Sequence, residues 1–352
     1  MQKSLYLLLV LFVLIYSLWM AIGISGDNSN KVDNKSKKAG INQTIKLLAV
    51  GDINLGRTTG KKILGGDNNY AFEYLNEFLQ KYDITFGNLE SQLADLGGET
   101  QSPTNEYTFA GPPAGADGLK EAGFDIVSTA NNHMWDYGKT ALFETMDNLD
   151  RVGVKFVGSN KETDKLYQPT IIEVNGKKVA FLAVTMLLNG YEKSGAVDYV
   201  ATADTAKLLP AIATAKTQAD FIIVSMHGGV EYRATPTTEQ KDLAHQIIDA
   251  GANIVIGHHT HTAEGVEEYK SGLIFYSLGN FAFWQPFGYW TEHSFIAEIE
   301  LKPNGEVDYN PVAIDAGWQP RLSDEEDATK ILQYIAELSN KLNIPLDATG
   351  SN

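Results

Sequence analysis

The stretch Ile254-Val255-Ile256-Gly257-His258-His259-Thr260-His261 sets three apolar residues directly before three imidazoles within four positions. Ile-Val-Ile closed by Gly reads as a short strand buried on both faces. Three histidines crowded at its end gain nothing by packing and repel one another when protonated, so their concentration points to metal ligation. In α/β sheets, ligand sites form beyond the carboxyl ends of strands, where several chain segments open into one crevice.

The same arrangement recurs along the chain. Ile45 to Val50 reads as a buried strand ending in Gly51-Asp52-Ile53-Asn54, and Ile84 to Phe86 is followed by Gly87-Asn88-Leu89-Glu90. Phe124 to Val127 precedes Asn131-Asn132-His133, and Phe221 to Ser225 precedes His227-Gly228-Gly229. Five strand ends thus collect an Asp, a Glu, several Asn and five of the seven histidines. Such a mix of imidazole with carboxylate and amide oxygen suits Mn, Fe or Zn, and is too rich in nitrogen for a Ca or Mg cage.

Between the strands lie helical patterns. Apolar residues at Ala71, Phe72, Leu75, Phe78, Leu79 and Tyr82 predict a helix over Tyr70–Tyr82, and similar spacing predicts helices over Ala141–Val152 and Thr238–Ala250. The alternation argues for a layered α/β domain. Asn175-Gly176 inside Thr170–Val184 is a strong hairpin signal, and Gly265–Ile314 reads as successive strands with a turn at Pro303-Asn304-Gly305. Parallel βαβ units and antiparallel strands together predict a two-sheet sandwich flanked by helices. An amphipathic helix is expected over Asp324–Leu342. The aromatic run Phe283, Trp284, Phe287, Tyr289 and Trp290 reads either as core or as a loop facing substrate or membrane.

Composition removes several function classes. With 28 Lys and Arg against 44 Asp and Glu, the 352-residue chain carries a formal charge of −16, unsuited to general nucleic-acid binding. It has no Cys, so there is no disulfide framework, zinc-thiolate site or thiol nucleophile. Gly56-Arg57-Thr58-Thr59-Gly60-Lys61-Lys62 resembles a P-loop only superficially, because its glycines are one residue too close and Lys62 replaces the Mg-binding hydroxyl.

The first 44 residues stand apart. After residues 1–4, the twenty residues Leu5 to Ile24 carry no charge, enough to cross a hydrocarbon layer of about 30 Å as a helix. A cleaved signal peptide is the competing reading, but its apolar run is usually shorter. Residues 25–44, rich in Asn, Ser, Gly and Lys, read as a flexible tether whose Lys content by itself favours a cytoplasmic location. Residues 1–44 hold five Lys and two Asp, which leaves the body with 23 basic and 42 acidic residues, or −19.

Six motifs in order carry a family resemblance: GDINLGR (51–57), GNLESQL (87–93), ANNHMWDYG (130–138), HGGVEY (227–232), GHHTH (257–261) and YSLGNFAF (276–283). On these the chain resembles the CapA (PgsA) poly-γ-glutamate capsule-synthesis proteins, within the calcineurin-like metallophosphoesterase superfamily. The resemblance implies a four-layer α/β/β/α sandwich over residues 45–322, followed by a closing helix and tail at 323–352. It implies a site for two divalent ions (Mn, Fe or Zn) at the strand ends. It also implies a single-pass cell-membrane protein with its globular domain outside, against the Lys count.

Carried over by position, Asp52 and His133 are the expected catalytic residues, Asp52 as ligand of the first metal and His133 as proton donor or phosphate contact. Glu90, or Asn88 beside it, is expected at the bridging position, with Asn132, His227 and His259 on the second metal and His261 returning to the first. Arg57 is expected to contact a substrate anion, with Asn88, His258, Glu231 and Asn280 around it, Asn280 also orienting the histidine cluster. The chain departs from the superfamily at Asn54, where an imidazole is usual, and at Asn88-Leu89-Glu90, where the acid is longer. It has Gly228 and Thr260 where capsule-type relatives usually have Trp and Pro.

Three functions follow as expectations. The first is an anchored protein acting in synthesis, export or surface attachment of poly-γ-glutamate or a similar anionic polymer. The second is an extracytoplasmic phosphoesterase unrelated to capsule. The third is a non-catalytic scaffold for polymer synthase subunits.

Overall fold

A computed structural model describes residues 43–343. The expected anchor, and all but the last two residues of the tether, lie outside them. Among the described residues, no helix is long and apolar enough to cross a membrane.

In chain order, β1 (Ile45–Ile53) leads into α1 (Arg57–Leu64), α2 (Asn76–Leu79) and β2 (Ile84–Leu89). The short strands β3 (Gln92–Leu93) and β4 (Ala110–Gly111) precede α3 (Gly115–Ala122), β5 (Ile126–Ser128), α4 (Gly138–Val152) and β6 (Lys155–Val157). Next come β7 (Thr170–Val174), β8 (Lys177–Thr185), α5 (Thr205–Ala215), β9 (Phe221–His227), α6 (Thr238–Ala250) and β10 (Ile254–His258). The chain closes with β11 (Val266–Tyr269), β12 (Gly272–Phe275), α7 (Tyr289–Glu292), β13 (His293–Leu301), β14 (Val307–Asp315), β15 (Arg321–Leu322) and α8 (Glu325–Asn343).

One sheet has seven strands in the order β15-β14-β13-β1-β2-β5-β6, and a second has six in the order β11-β12-β10-β9-β8-β7. Strand alternation explains how they stack, because successive side chains of one strand face opposite layers. Leu47 and Ala49 of β1 join Phe181, Ile223, Ile256 and Phe275 of the other sheet in one core between the sheets. Leu48 and Val50 instead face Leu119 of α3 and Leu142 and Met146 of α4. On the far side, Leu182, Val224 and Val255 pack against Leu208 and Ile212 of α5 and Leu243 and Ile247 of α6. Helices therefore cover both outer faces, and this mixed α/β architecture fits a metallophosphoesterase-like fold. The closing helix inserts Ile331 and Ile335 into the inter-sheet core.

The Asn-Gly hairpin is present, with Asn175 at φ 52° and Gly176 at φ 75° joining the antiparallel pair β7–β8. Two expectations change. Over Tyr70–Tyr82 only Asn76–Leu79 is helical; before it the chain runs as successive turns, with Phe72 N–H bonded to Asn69 O and Leu75 N–H to Phe72 O. The apolar spacing still buries Ala71, Phe72, Leu75 and Leu79 through these turns. The other change is the aromatic run, which divides: Phe283 is buried, Trp290 stacks on Tyr334, and Trp284 and Phe287 are exposed.

The parallel core strands place their carboxyl ends together. Asp52 is in register with Asn88, Asn88 with Ser128, and His227 with His258. Glycines let a further segment close over these ends: Cβ atoms at Gly51 and Gly257 would sit 1.9 Å and 1.8 Å from the carbonyl oxygens of Gly279 and Tyr276. No larger residue fits either position. The approach brings the backbone N–H of Asp52 to Gly279 O and delivers Asn280 to the site.

Candidate metal centre

Asp52 ends up with no exposed surface at the junction of β1, β2 and β10. Its Oδ1 accepts from Asn88 Nδ2 at 2.9 Å, and its Oδ2 accepts the backbone N–H of His259 at 3.2 Å. His258 Nδ1 lies 3.3 Å from one carboxylate oxygen and His261 Nδ1 3.5 Å from the other. His259 and His261 both adopt positive φ, 95° and 58°, a conformation that costs roughly 1–3 kcal/mol at non-glycine residues and persists where surroundings enforce it. Here the enforcing contacts include the Asp52 carboxylate.

Glu90 projects into the centre of the cluster. Its Oε1 is 3.7 Å from His227 Nε2, 3.9 Å from His133 Nε2 and 4.0 Å from His261 Nε2. Two ligand groups result, Asp52–Glu90–His261 and Glu90–His227–His259, each with its ligand atoms within 4.8 Å of one another. They share Glu90. Asn132 joins the second group, its Oδ1 2.8 Å from His227 Nε2.

The electrostatics favour a cation. Burial alone would raise the Asp52 carboxyl, but the adjacent His258 and His261 imidazoles overcome it and hold it well below the usual carboxylate range. Burial, reinforced by the negative charge of Asp52, pushes Glu90 well above its usual value. Burial and neighbouring imidazoles depress His227 strongly and bring His259 down to about 3. These two histidines are thus neutral and ready to donate lone pairs. Glu90 Oε1, both ring nitrogens of His258 and Nδ1 of His259 are buried without a hydrogen-bond partner. Buried polar atoms without partners are rare, and these are the donor types of a transition ion. The residues fit a divalent cation.

The remaining candidates surround this centre. Asn88 is interior, linking Asp52, Glu90 and His227 and receiving Asn131 Nδ2 on its own Oδ1. His258 is fully buried beneath the ligands, against Phe86. Asn280 Oδ1 pairs with His261 Nδ1 at 2.9 Å, and its Nδ2 donates to Thr291 O. Its position suits orienting that ligand.

Arg57 stands half-buried at the edge. Its guanidinium lies 4.5 Å from the Phe109 ring centroid, Nη2 donates to Glu106 O, and Nε is unpartnered. It lines a 390 Å³ cavity together with Tyr107, Trp284, Phe287 and Trp318. Glu231 is exposed beside Tyr232, and its charge adds to the upward push on Glu90.

The structure also adds a residue that the motifs do not single out. Asp136 Oδ2 accepts from His133 Nδ1 at 2.9 Å and from the Phe109 N–H, so the His133 ring is fixed with Nε2 toward Glu90. The i,i+3 spacing of His133 and Asp136 within ANNHMWDYG is the available signal. Phe109 stacks on His133 at 4.2 Å, a contact that distant sequence positions do not announce.

The family described as "Bacterial capsule synthesis protein PGA_cap" matches residues 46–285. A protein named PGA biosynthesis protein CapA from Bacillus subtilis (strain 168) is 30% identical over 342 residues, covering 95% of this chain and 86% of that one. Capsule biosynthesis protein CapA from Bacillus anthracis is 29% identical over 311 residues, 85% of this chain and 75% of that one. Among solved structures, a hypothetical protein from Thermus thermophilus aligns with 77% of this chain and 100% of its own, at 17% identity and a TM-score of 0.48.

Proposed function

The chain belongs to the bacterial capsule synthesis protein family PGA_cap, and on that premise we propose that it acts in the synthesis, export or surface attachment of poly-γ-glutamate or a similar anionic polymer through the buried cation cluster. The observation that carries this reading is the unpartnered Glu90 oxygen, shared between two ligand groups and ringed by three imidazoles. Asp52, Glu90 and His261 would hold one ion, and Glu90, Asn132, His227 and His259 a second. Divalent ions there supply Lewis-acid polarisation of an anionic or carbonyl oxygen. His133, oriented by Asp136, can hold or deliver a proton at a leaving atom. Arg57 offers Nε to a substrate oxyanion.

A body charge of −19 repels a polyanion, so contact must be local, at the cations and Arg57. In this reading residues 5–24 anchor the chain in the cell membrane with its body outside, beside synthase subunits. The test is deletion of the gene in its host, followed by complementation with the full chain. We expect surface polymer to be lost, restored by the native sequence, and not restored by Asp52→Asn or Glu90→Gln at equal protein level. Polymer that persists in the deletion strain, or full rescue by both variants, overturns the proposal. The Asn132–His133 pair beside the cluster also suits phosphoester hydrolysis; turnover of an aryl phosphate with manganese, abolished by Asp52→Asn in a strain whose polymer is intact, would select that second reading.

A further inference from the structure

Two of the seven histidines lie outside the buried cluster. His245 is accounted for: its Nε2 pairs with both oxygens of Glu267 at 3.0–3.1 Å and its ring stacks on Tyr269. His293 is different. Its Nδ1–H donates to the backbone carbonyl of Tyr289 at 2.8 Å, and its ring lies parallel to the Tyr289 ring at 3.9 Å. Both contacts fix the imidazole, and with Nδ1 protonated the neutral ring presents a lone pair at Nε2. That nitrogen faces Asp315 Oδ1 at 3.8 Å and Asp327 Oδ2 at 3.9 Å, the three ligand atoms lying within 4.8 Å of one another.

Neither distance is a hydrogen bond, so Nε2 stands off both carboxylates. Each acid is also oriented by a hydroxyl: Ser323 Oγ donates at 2.6 Å to Asp315 Oδ1, the same oxygen that faces His293, and the Tyr289 hydroxyl donates to Asp327 Oδ1, leaving Oδ2 toward His293. The nearby Lys330 ammonium sits over the Tyr289 ring. Imidazole fixed by a carbonyl and carboxylates fixed by hydroxyls are the outer partners that metal ligands carry.

We infer that His293, Asp315 and Asp327 form a second divalent-cation site, separate from the buried cluster and suited to zinc or manganese. Ligand atoms about 2.0–2.2 Å from a common ion stand roughly 3.3–3.6 Å apart in a tetrahedral arrangement, so the two imidazole–carboxylate pairs, at 3.8 and 3.9 Å, close by only a few tenths of an ångström. The side chains are 17%, 46% and 35% exposed, which leaves water free to complete the coordination. The ligands come from the start of β13, the end of β14 and the first turn of α8, so an ion ties three elements together. It also braces α7, whose Thr291 carbonyl holds Asn280 behind His261.

The experiment uses the full chain and zinc alone, with equilibrium dialysis for stoichiometry and thermal melting for linkage. In a background carrying Glu90→Gln and His259→Ala, one zinc per chain is expected to remain bound and to raise the melting temperature. Adding His293→Ala, or separately the near-isosteric Asp315→Asn, is expected to weaken that remaining zinc at least 10-fold and cancel the thermal shift. In the otherwise native chain, His293→Ala is expected to remove one equivalent and leave the rest. A background that binds no zinc, or zinc affinity unchanged by both His293→Ala and Asp315→Asn in protein that still melts cooperatively, overturns the inference.

Discussion

Two clusters of imidazole and carboxylate in this molecule use the same chemistry under opposite solvation. Around Asp52 and Glu90 no carboxylate surface reaches solvent, whereas Asp315 and Asp327 are 46% and 35% exposed. In the first, burial sets the charge states before any ion arrives: Asp52 ionised, Glu90 raised well above its usual value, His259 lowered to about 3. In the second, water screens the acids, and hydrogen bonds from the Ser323 and Tyr289 hydroxyls to the acids and from His293 to the Tyr289 carbonyl do the orienting. Donor identity alone therefore does not set how strongly a site demands a cation. Desolvation does, because an unpaired buried charge costs far more than an exposed one.

The largest expected effect breaks the buried side of this comparison. Glu90→Gln removes the oxygen shared by both ligand groups, so zinc or manganese affinity there should fall by more than the ~100-fold typical of losing a supporting partner. Isothermal titration should show the His293 site unaffected. Titrations of the native chain in buffers of different ionisation enthalpy should also separate the clusters. Cation uptake at the buried one opposes the protonated form that burial favours at Glu90, so it is coupled to proton release there. Uptake at the exposed one should release fewer.

Glu264 isolates the contribution of burial. Its carboxyl is almost fully buried, accepts one bond from Gln240 Nε2 at 3.1 Å, and is pushed up from 4.5 to about 8. A folded value above the unfolded one means its contribution is fully present below about pH 4.5 and is lost as pH rises through about 8. Glu264→Gln should flatten that dependence, recovering on the order of 2–4 kcal/mol near pH 9 in denaturant melts. Equal pH profiles for the two proteins would remove Glu264 from the account.

Smaller is the effect of Asn280→Ala. It strips His261 of its partner at 2.9 Å, and about a 10–100-fold loss in metal affinity at the buried cluster is expected, with Asn280→Asp recovering part of it. The least is expected of Ser323→Ala. It removes one outer hydrogen bond to Asp315 and should lower zinc affinity at the exposed site by no more than about 10-fold, with stability changed by about 1 kcal/mol.

Much of the buried site is legible in the chain because its residues are tied to strand ends. A buried apolar run followed at once by Asp, Asn or His announces both the strand and the position of the polar residue, as at Asp52, His227 and His259. Parallel pairing then aligns those ends with little further information. Helices are harder to read. α5 contains Pro210 in its interior and α3 opens with Gly-Ala-Asp-Gly, so propensity argues against both, and packing of Leu208, Ile212 and Leu119 prevails. Tyr70–Tyr82 shows the converse, where correct spacing buries the right side chains without forming a continuous helix.

By itself the sequence determined the layered α/β class, the polar residues at the strand ends and the acidic body, since each depends on neighbours within a few residues. Only the tertiary structure decided that Glu90, rather than Asn88, is the residue both groups share, that Asp136 orients His133, and that His293 faces Asp315 and Asp327. Those last three residues lie on separate elements more than ten positions apart, and no local periodicity relates them. Their meeting depends on how β13, β14 and α8 pack, as the charge of every buried acid depends on what the fold removes from water.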